Sequence, residues 1–212
     1  MARKPRIEYP GAFYHVISRG NRGQDIFHAD SDRRRCLDRI REYRERYEFI
    51  LYAYTLMPNH VHFVLETAEV PLSRIMQGLV QSYTQYYNWK YEKVGHLFQG
   101  RYKPIVCDKD AYLLQLVRYL HLNSVRAGLV DSPADYPWSS HRVYLGLEQD
   151  PMVNTEVVLG LFSQEIKEAR KLYEAFVVEA IDDGSVDEYY RTVDQRLLGS
   201  EEFIRKVEHK AK

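Results

Sequence analysis

Two runs rich in aliphatic, aromatic and β-branched residues, 49–57 (FILYAYTLM) and 60–67 (HVHFVLET), are separated only by Pro58-Asn59. Proline removes a backbone donor and asparagine accepts turn conformations, so a break this short predicts an antiparallel hairpin. The first run reads as a buried strand. Any fold for this chain has to be built around that ribbon.

The flanking segments supply partners for it. Residues 12–18 (AFYHVIS) read as a strand ended by Gly20-Asn21 and Gly23. Asp30 or Ser31 is placed to cap a helix over 32–47, where Cys36, Leu37, Ile40 and Tyr43 recur at helical spacing. Pro71 opens a second helix reaching about residue 93, with Leu72, Ile75, Met76, Leu79, Val80, Tyr83, Tyr86 and Tyr87 on one side. A loop from Gly95 to Gly100 leads to a strand at 102–107. Asp108 or Asp110 then caps a helix over 111–127, stopped by Gly128. The order strand, helix, strand, strand, helix, strand predicts an α+β fold: a ferredoxin-like split βαβ antiparallel sheet with helices packed on one face.

Length suits one catalytic domain over residues 1–150 with an acidic helical extension over 151–212. In the extension, helices are expected near 155–181, 185–195 and 200–210. Residues 151–212 carry 9 basic and 13 acidic side chains, leaving 21 and 17 in residues 1–150. Zero net charge for the whole chain therefore hides a basic half. Arg3, Lys4, Arg6, Arg19 and Arg22 face only Glu8 within positions 3–22, and local clustering decides phosphate contacts. No apolar run is long enough for a membrane span, and the basic N-terminus lacks the apolar core of a secretion signal. Cys36 and Cys107 are far apart and read as reduced thiols. These features give a cytoplasmic location as the expectation.

The chemistry concentrates in two places. Side chains alternate along a strand, so His60 and His62 share one face while Val61 and Phe63 take the other. Two imidazoles so placed can grip one metal ion, although an isolated pair of this kind is also an ordinary solvated strand face. The helix over 111–127 offers the further element: Tyr119 and Asn123 stand at i, i+4 on one face. Asn123 brings an amide oxygen as a third ligand, and Tyr119 a phenol one turn away. Tyr112 shares roughly the same face as a rival nucleophile; periodicity does not separate the two, and the neighbouring Asn123 favours Tyr119. His121 lies on another face and reads as structural or surface. Imidazole with oxygen ligation and an open position suits Mg²⁺ or Mn²⁺ at a phosphate, and imidazole alone would accept zinc. Arg19, Asn21 and Arg22 after the first strand, and Arg101, Tyr102 and Lys103 before the last, mix cations and an aromatic ring as a single-strand-binding groove does. Trp138 reads as a core residue.

In order along the chain, the segments Phe13 to Asn21, Met57 to Leu65, Leu97 to Lys103, Tyr119 to Val130 and Tyr136 to Ser140 resemble the HUH superfamily of single-strand endonucleases. Within it they are most similar to Y1-type transposases, especially REP-associated tyrosine transposases. The resemblance covers about residues 9–145. It implies that His60 and His62 bind the metal, that Tyr119 is the nucleophile and Asn123 the third ligand, and it adds Arg126 to the DNA-contacting residues. It further implies cleavage of single-stranded DNA, often beside a hairpin, leaving a 5′-phosphotyrosine link and a free 3′-OH. Relatives include monomers and domain-swapped homodimers, so either state is expected. Ser124 stands where many relatives have proline, a difference that touches helix geometry more than chemistry.

Overall fold

The computed structural model describes residues 6–181, 192–193 and 196–210. Strand β1 spans Phe13–Arg19, β2 Ile50–Met57 and β3 His60–Glu66. β4 is Lys103–Cys107 and β5 is the short Leu197–Leu198. The long helices are α1 (Asp30–Tyr47), α2 (Leu72–Lys90) and α3 (Lys109–Arg126). Four shorter ones follow: α4 (His141–Leu145), α5 (Glu156–Leu159), α6 (Ile166–Val178) and α7 (Glu201–Lys210).

Strand order is β2-β3-β1-β4-β5. The first four strands pair antiparallel in the split βαβ arrangement, and β5 joins β4 in parallel. The α+β class and the antiparallel sheet are those the element order predicts. Helices α1 and α2 cover one face: Ser18, Val61 and Phe63 of the sheet line one small cavity together with Cys36 and Ile40 of α1 and Leu79 and Tyr83 of α2. Helix α3 lies on the other face, so helices cover both sides of the sheet and not one alone. The physical reason is β2 itself, buried at seven consecutive positions, Leu51 to Met57. A strand apolar on both faces needs cover on both. Thr55 marks the contact, its Oγ1 donating to the carbonyl of Leu120 on α3 at 2.7 Å.

Capping differs from the simplest reading. Asp30 and Ser31 fall inside the first turn of α1, and Asp32 accepts the amides of His28 and Ala29, each at 2.9 Å. A carboxylate inside the first turn thus ties down the two residues that lead into the helix. For α2, where Pro71 offers no side-chain cap, Glu8 reaches across the chain and accepts from Ser73 N at 2.6 Å and Ser73 Oγ at 2.9 Å.

The segment after residue 150 is less uniformly helical than its sequence suggests. The helix expected over 155–181 is divided into α5 and α6, broken after Gly160 by a turn in which Ser163 Oγ accepts from Glu165 N at 3.1 Å. Most of the 185–195 segment lies outside the described residues, and Val193 is bridged to Leu197 instead of being helical. Tyr173 of α6 is fully buried and ring-stacked on Tyr144 with centroids 4.8 Å apart. Its hydroxyl meets His121 Nδ1 at 2.5 Å, and His121 Nε2 meets Ser140 Oγ at 2.8 Å. His121 is thus a structural histidine, not a surface one. Trp138 is half-buried against the core with the Arg33 guanidinium over its ring. Tail residues also pair with both edges of the sheet. Asn154 N donates to Leu51 O on β2 at 2.8 Å, and Val106 N on β4 donates to Arg196 O at 2.8 Å. No helix among the described residues is long and apolar enough to cross a membrane.

Candidate catalytic site

The site grows from the register of three strands. On β1, Arg19 lies opposite His60, Ile17 opposite His62 and His15 opposite Val64. On β2, Met57 lies opposite His60 and Thr55 opposite His62. Paired residues share a face, so His15, His60 and His62 project to the same side as Thr55, the residue that docks α3. The hydrogen bond from Thr55 to Leu120 therefore brings Tyr119 down onto the histidines. Its ring centroid is 6.0 Å from that of His62 and 5.8 Å from that of His15, both edge-on. The rings of His60 and His62 are 4.9 Å apart. All of these groups belong to one chain. Tyr112, two turns earlier and about 10 Å back along the helix axis, is half-buried near the start of α3.

Two further side chains of α3 lie next to Tyr119. Asn123 lies one turn on from Tyr119 and donates its amide nitrogen to the Tyr119 carbonyl at 3.0 Å, which leaves its amide oxygen as the acceptor end. The guanidinium of Arg126 lies 5.5 Å from the Tyr119 ring centroid, and its buried Nη1 has no hydrogen-bond partner among the described residues. A half-buried cation with an open donor beside a phenol is an arrangement that an anion would complete.

The imidazoles are held neutral. Burial, and then the charge of Arg19, pushes His60 down to about 4. Burial, with His15 and His60 adding to it, places His62 well below its ordinary value. For His15 burial again dominates, with Lys103 second, and the value is about 3. At pH 7 each ring keeps a lone pair, the form that binds metal ions. One nitrogen of each candidate ligand is already engaged: His60 Nδ1 with Asn59 Oδ1 at 2.6 Å, and His62 Nδ1 with His15 Nε2 at 2.9 Å. The Nε2 atoms remain. Among the described residues, no three His, Cys, Asp or Glu side chains form a metal-binding group. Two imidazoles with an asparagine oxygen make an incomplete, open donor set, the kind a substrate oxygen or water fills out. The residues present fit a catalytic cation.

The proposed DNA-contacting residues divide between two surfaces. Arg19 is exposed beside His60, and Lys103, opposite Ile17, takes the histidine face. Asn21 and Arg22 are exposed in a 3₁₀ turn just beyond β1, tied by Asn21 N to Leu97 O at 2.8 Å. Arg101 and Tyr102 instead line a groove against α2 together with Arg6, Gln77, Gln81 and His96. Tyr102 is buried there with the Arg6 guanidinium 4.6 Å from its ring centroid, so that ring face is covered. The residue that sequence reading leaves without a role is His15. Its place became visible only once β1 was paired with β3, although its parity with Arg19 along β1 was the available signal.

Residues 9–123, more than half of the chain, match the family described as IS200-like transposase. Among solved structures, a REP-associated tyrosine transposase bound to a REP hairpin is similar with a TM-score of 0.58 at 16% identity. The match covers 72% of this chain and 90% of that one. A chain from Deinococcus radiodurans R1 described as a transposase aligns at 19% identity over 56% of this chain and 98% of that one, with a TM-score of 0.38. Among curated proteins, none matches. The protein is therefore of the transposase class, built for DNA processing. Specifically, it belongs to the IS200-like family of transposases.

Proposed function

We propose that the chain is a single-strand DNA endonuclease and strand transferase in which Tyr119 is the nucleophile, acting beside a hairpin with Mg²⁺ or Mn²⁺. The observation that carries this reading is the Tyr119 ring lying edge-on to His62 in the same subunit. When bound, the metal ion supplies charge neutralisation at the scissile phosphate. His60, His62 and the Asn123 oxygen would hold it. Arg126, with its unpartnered Nη1, binds a non-bridging phosphate oxygen and offsets charge as it builds. The Tyr119 oxygen attacks phosphorus as its phenol proton passes to solvent or base, and the P–O3′ bond breaks with the departing O3′ taking up a proton from solvent. A 5′-phosphotyrosine and a free 3′-OH result. Because the ester bond is retained in the covalent link, a second 3′-OH can displace Tyr119 and rejoin the strand without an external energy source. The hairpin in the related REP-associated structure supports a structured single strand as substrate.

The test is incubation with labelled, hairpin-flanked single strands and Mn²⁺ or Mg²⁺, followed by denaturing electrophoresis. A protein–DNA adduct is expected. It should vanish in Tyr119→Phe, in His60→Ala and His62→Ala, and with chelator. If the wild type binds the hairpin but no adduct forms under any metal, a catalytically silent nucleic-acid-binding regulator on the same fold replaces the nuclease reading.

A further inference from the structure

The two strand histidines are each gripped from behind, and the grips differ. An imidazole offers its Nε2 lone pair only when its proton resides on Nδ1. For His60 the partner at Nδ1 is Asn59 Oδ1 at 2.6 Å, while Asn59 Nδ2 donates to the Gly23 carbonyl at 3.2 Å. That second bond orients the amide, so Oδ1 must accept and His60 must carry its proton on Nδ1. For His62 the partner is His15 Nε2 at 2.9 Å. The two rings are nearly coplanar, 20° between planes with centroids 5.1 Å apart, which suits an in-plane N–H···N bond.

We propose that His15 and Asn59 are positioning residues that fix the Nδ1–H tautomers of His62 and His60, leaving both Nε2 lone pairs for the cation. This rests on the metal-dependent reading given above. Its second support is the cost His15 carries. If His15 accepts at Nε2, its own proton sits on Nδ1, and that atom is buried with no hydrogen-bond partner among the described residues. His15 is fully buried on a strand face where its β1 neighbour is Ile17 and its β4 partner is Ile105. An aliphatic residue would fill that space without stranding a donor, so packing alone does not account for a histidine here. A directional acceptor for His62 does.

The test reads tautomers directly, by ¹⁵N–¹H correlation spectra of ¹⁵N-histidine-labelled, metal-free protein, with Mn²⁺ affinity by calorimetry beside it. Wild type should show His60 and His62 protonated at Nδ1. In His15→Leu, His62 should shift toward the other tautomer and Mn²⁺ affinity should fall about 10–100-fold with circular dichroism unchanged. His15→Gln puts an amide oxygen in place of Nε2 and should restore affinity, whereas Asn59→Leu should alter His60 alone. A wild-type His62 protonated at Nε2 overturns the inference, whether or not His15→Leu folds. So does a folded His15→Leu that binds Mn²⁺ as wild type does. If wild type takes up no Mn²⁺ at all, the metal reading falls, and the tautomer spectrum still decides the roles of His15 and Asn59.

Discussion

Asp32 has no exposed surface, yet its carboxylate accepts from Lys90 Nζ at 2.5 Å, Tyr91 OH at 2.6 Å and Tyr86 OH at 3.0 Å. With the amides of His28 and Ala29 it joins the start of α1 to the end of α2. Burial alone would push this carboxyl up; the bonds from Lys90, Tyr91 and the two amides outweigh it and hold it well below the usual carboxylate range. A group whose folded value is depressed stabilises the fold above its unfolded value, near pH 4, and loses that contribution as pH falls further. Asp32→Ala is expected to cost about 3 kcal/mol in urea unfolding at pH 7, because it strands Lys90 and two tyrosine hydroxyls. The isosteric Asp32→Asn should also show a shallower loss of stability between pH 5 and pH 2 than wild type. At this scale the site was partly legible. The alternation of His60 and His62 and the one-turn spacing of Tyr119 and Asn123 are properties of a single element and can be read from it. His15, Asn59 as an acceptor and the open Nη1 of Arg126 depend on which strands and helices meet, and no local pattern encodes that.

Elements were legible where a period ran unbroken. Of the eight apolar positions expected on α2, those at 72, 75, 76, 79, 83 and 87 are buried while Val80 and Tyr86 are half-buried. The Pro58-Asn59 turn sets the β2–β3 register from Met57 back to Ala53, beyond which a bulge before Leu51 shifts it. Less legible was the second layer of helix. The continuous apolar run of β2 demands two covers, but the sequence order assigns only α1 and α2 to the sheet, and α3 is recruited by Thr55. The α1–α2 contact is itself narrow. A Cβ at Gly78 would run into the ring of Tyr43, so glycine there lets the two helices approach. Gly78→Leu should force Tyr43 out and destabilise by about 1–3 kcal/mol in chemical denaturation. The Mn²⁺ affinity should change little, since the histidines face α3 on the opposite side of the sheet.

For the molecule as a whole, charge is a matter of placement. The five cations proposed to contact DNA, Arg19, Arg22, Arg101, Lys103 and Arg126, stand in a chain whose other 25 basic residues face 30 acidic ones (30 − 5 = 25). If each neutralises one phosphate, the slope of log K against log salt for a single strand should be roughly −3.5, at about −0.7 per contact. Arg126→Ala should make it shallower by about 0.7, measured by fluorescence anisotropy; an unchanged slope would place Arg126 away from the backbone. The tail carries a different consequence. Its residues bond the outer hydrogen-bonding row of β2 at Leu51, of β4 at Val106, and the amide of Asp108 just beyond β4. A chain cut after residue 150 would keep every catalytic candidate and the pairing of Trp138 and Ser140 with β2, but would lose the β5 cover of β4, leaving a raw strand border that recruits copies of itself. Light scattering should find such a fragment clumping where the intact chain stays dispersed.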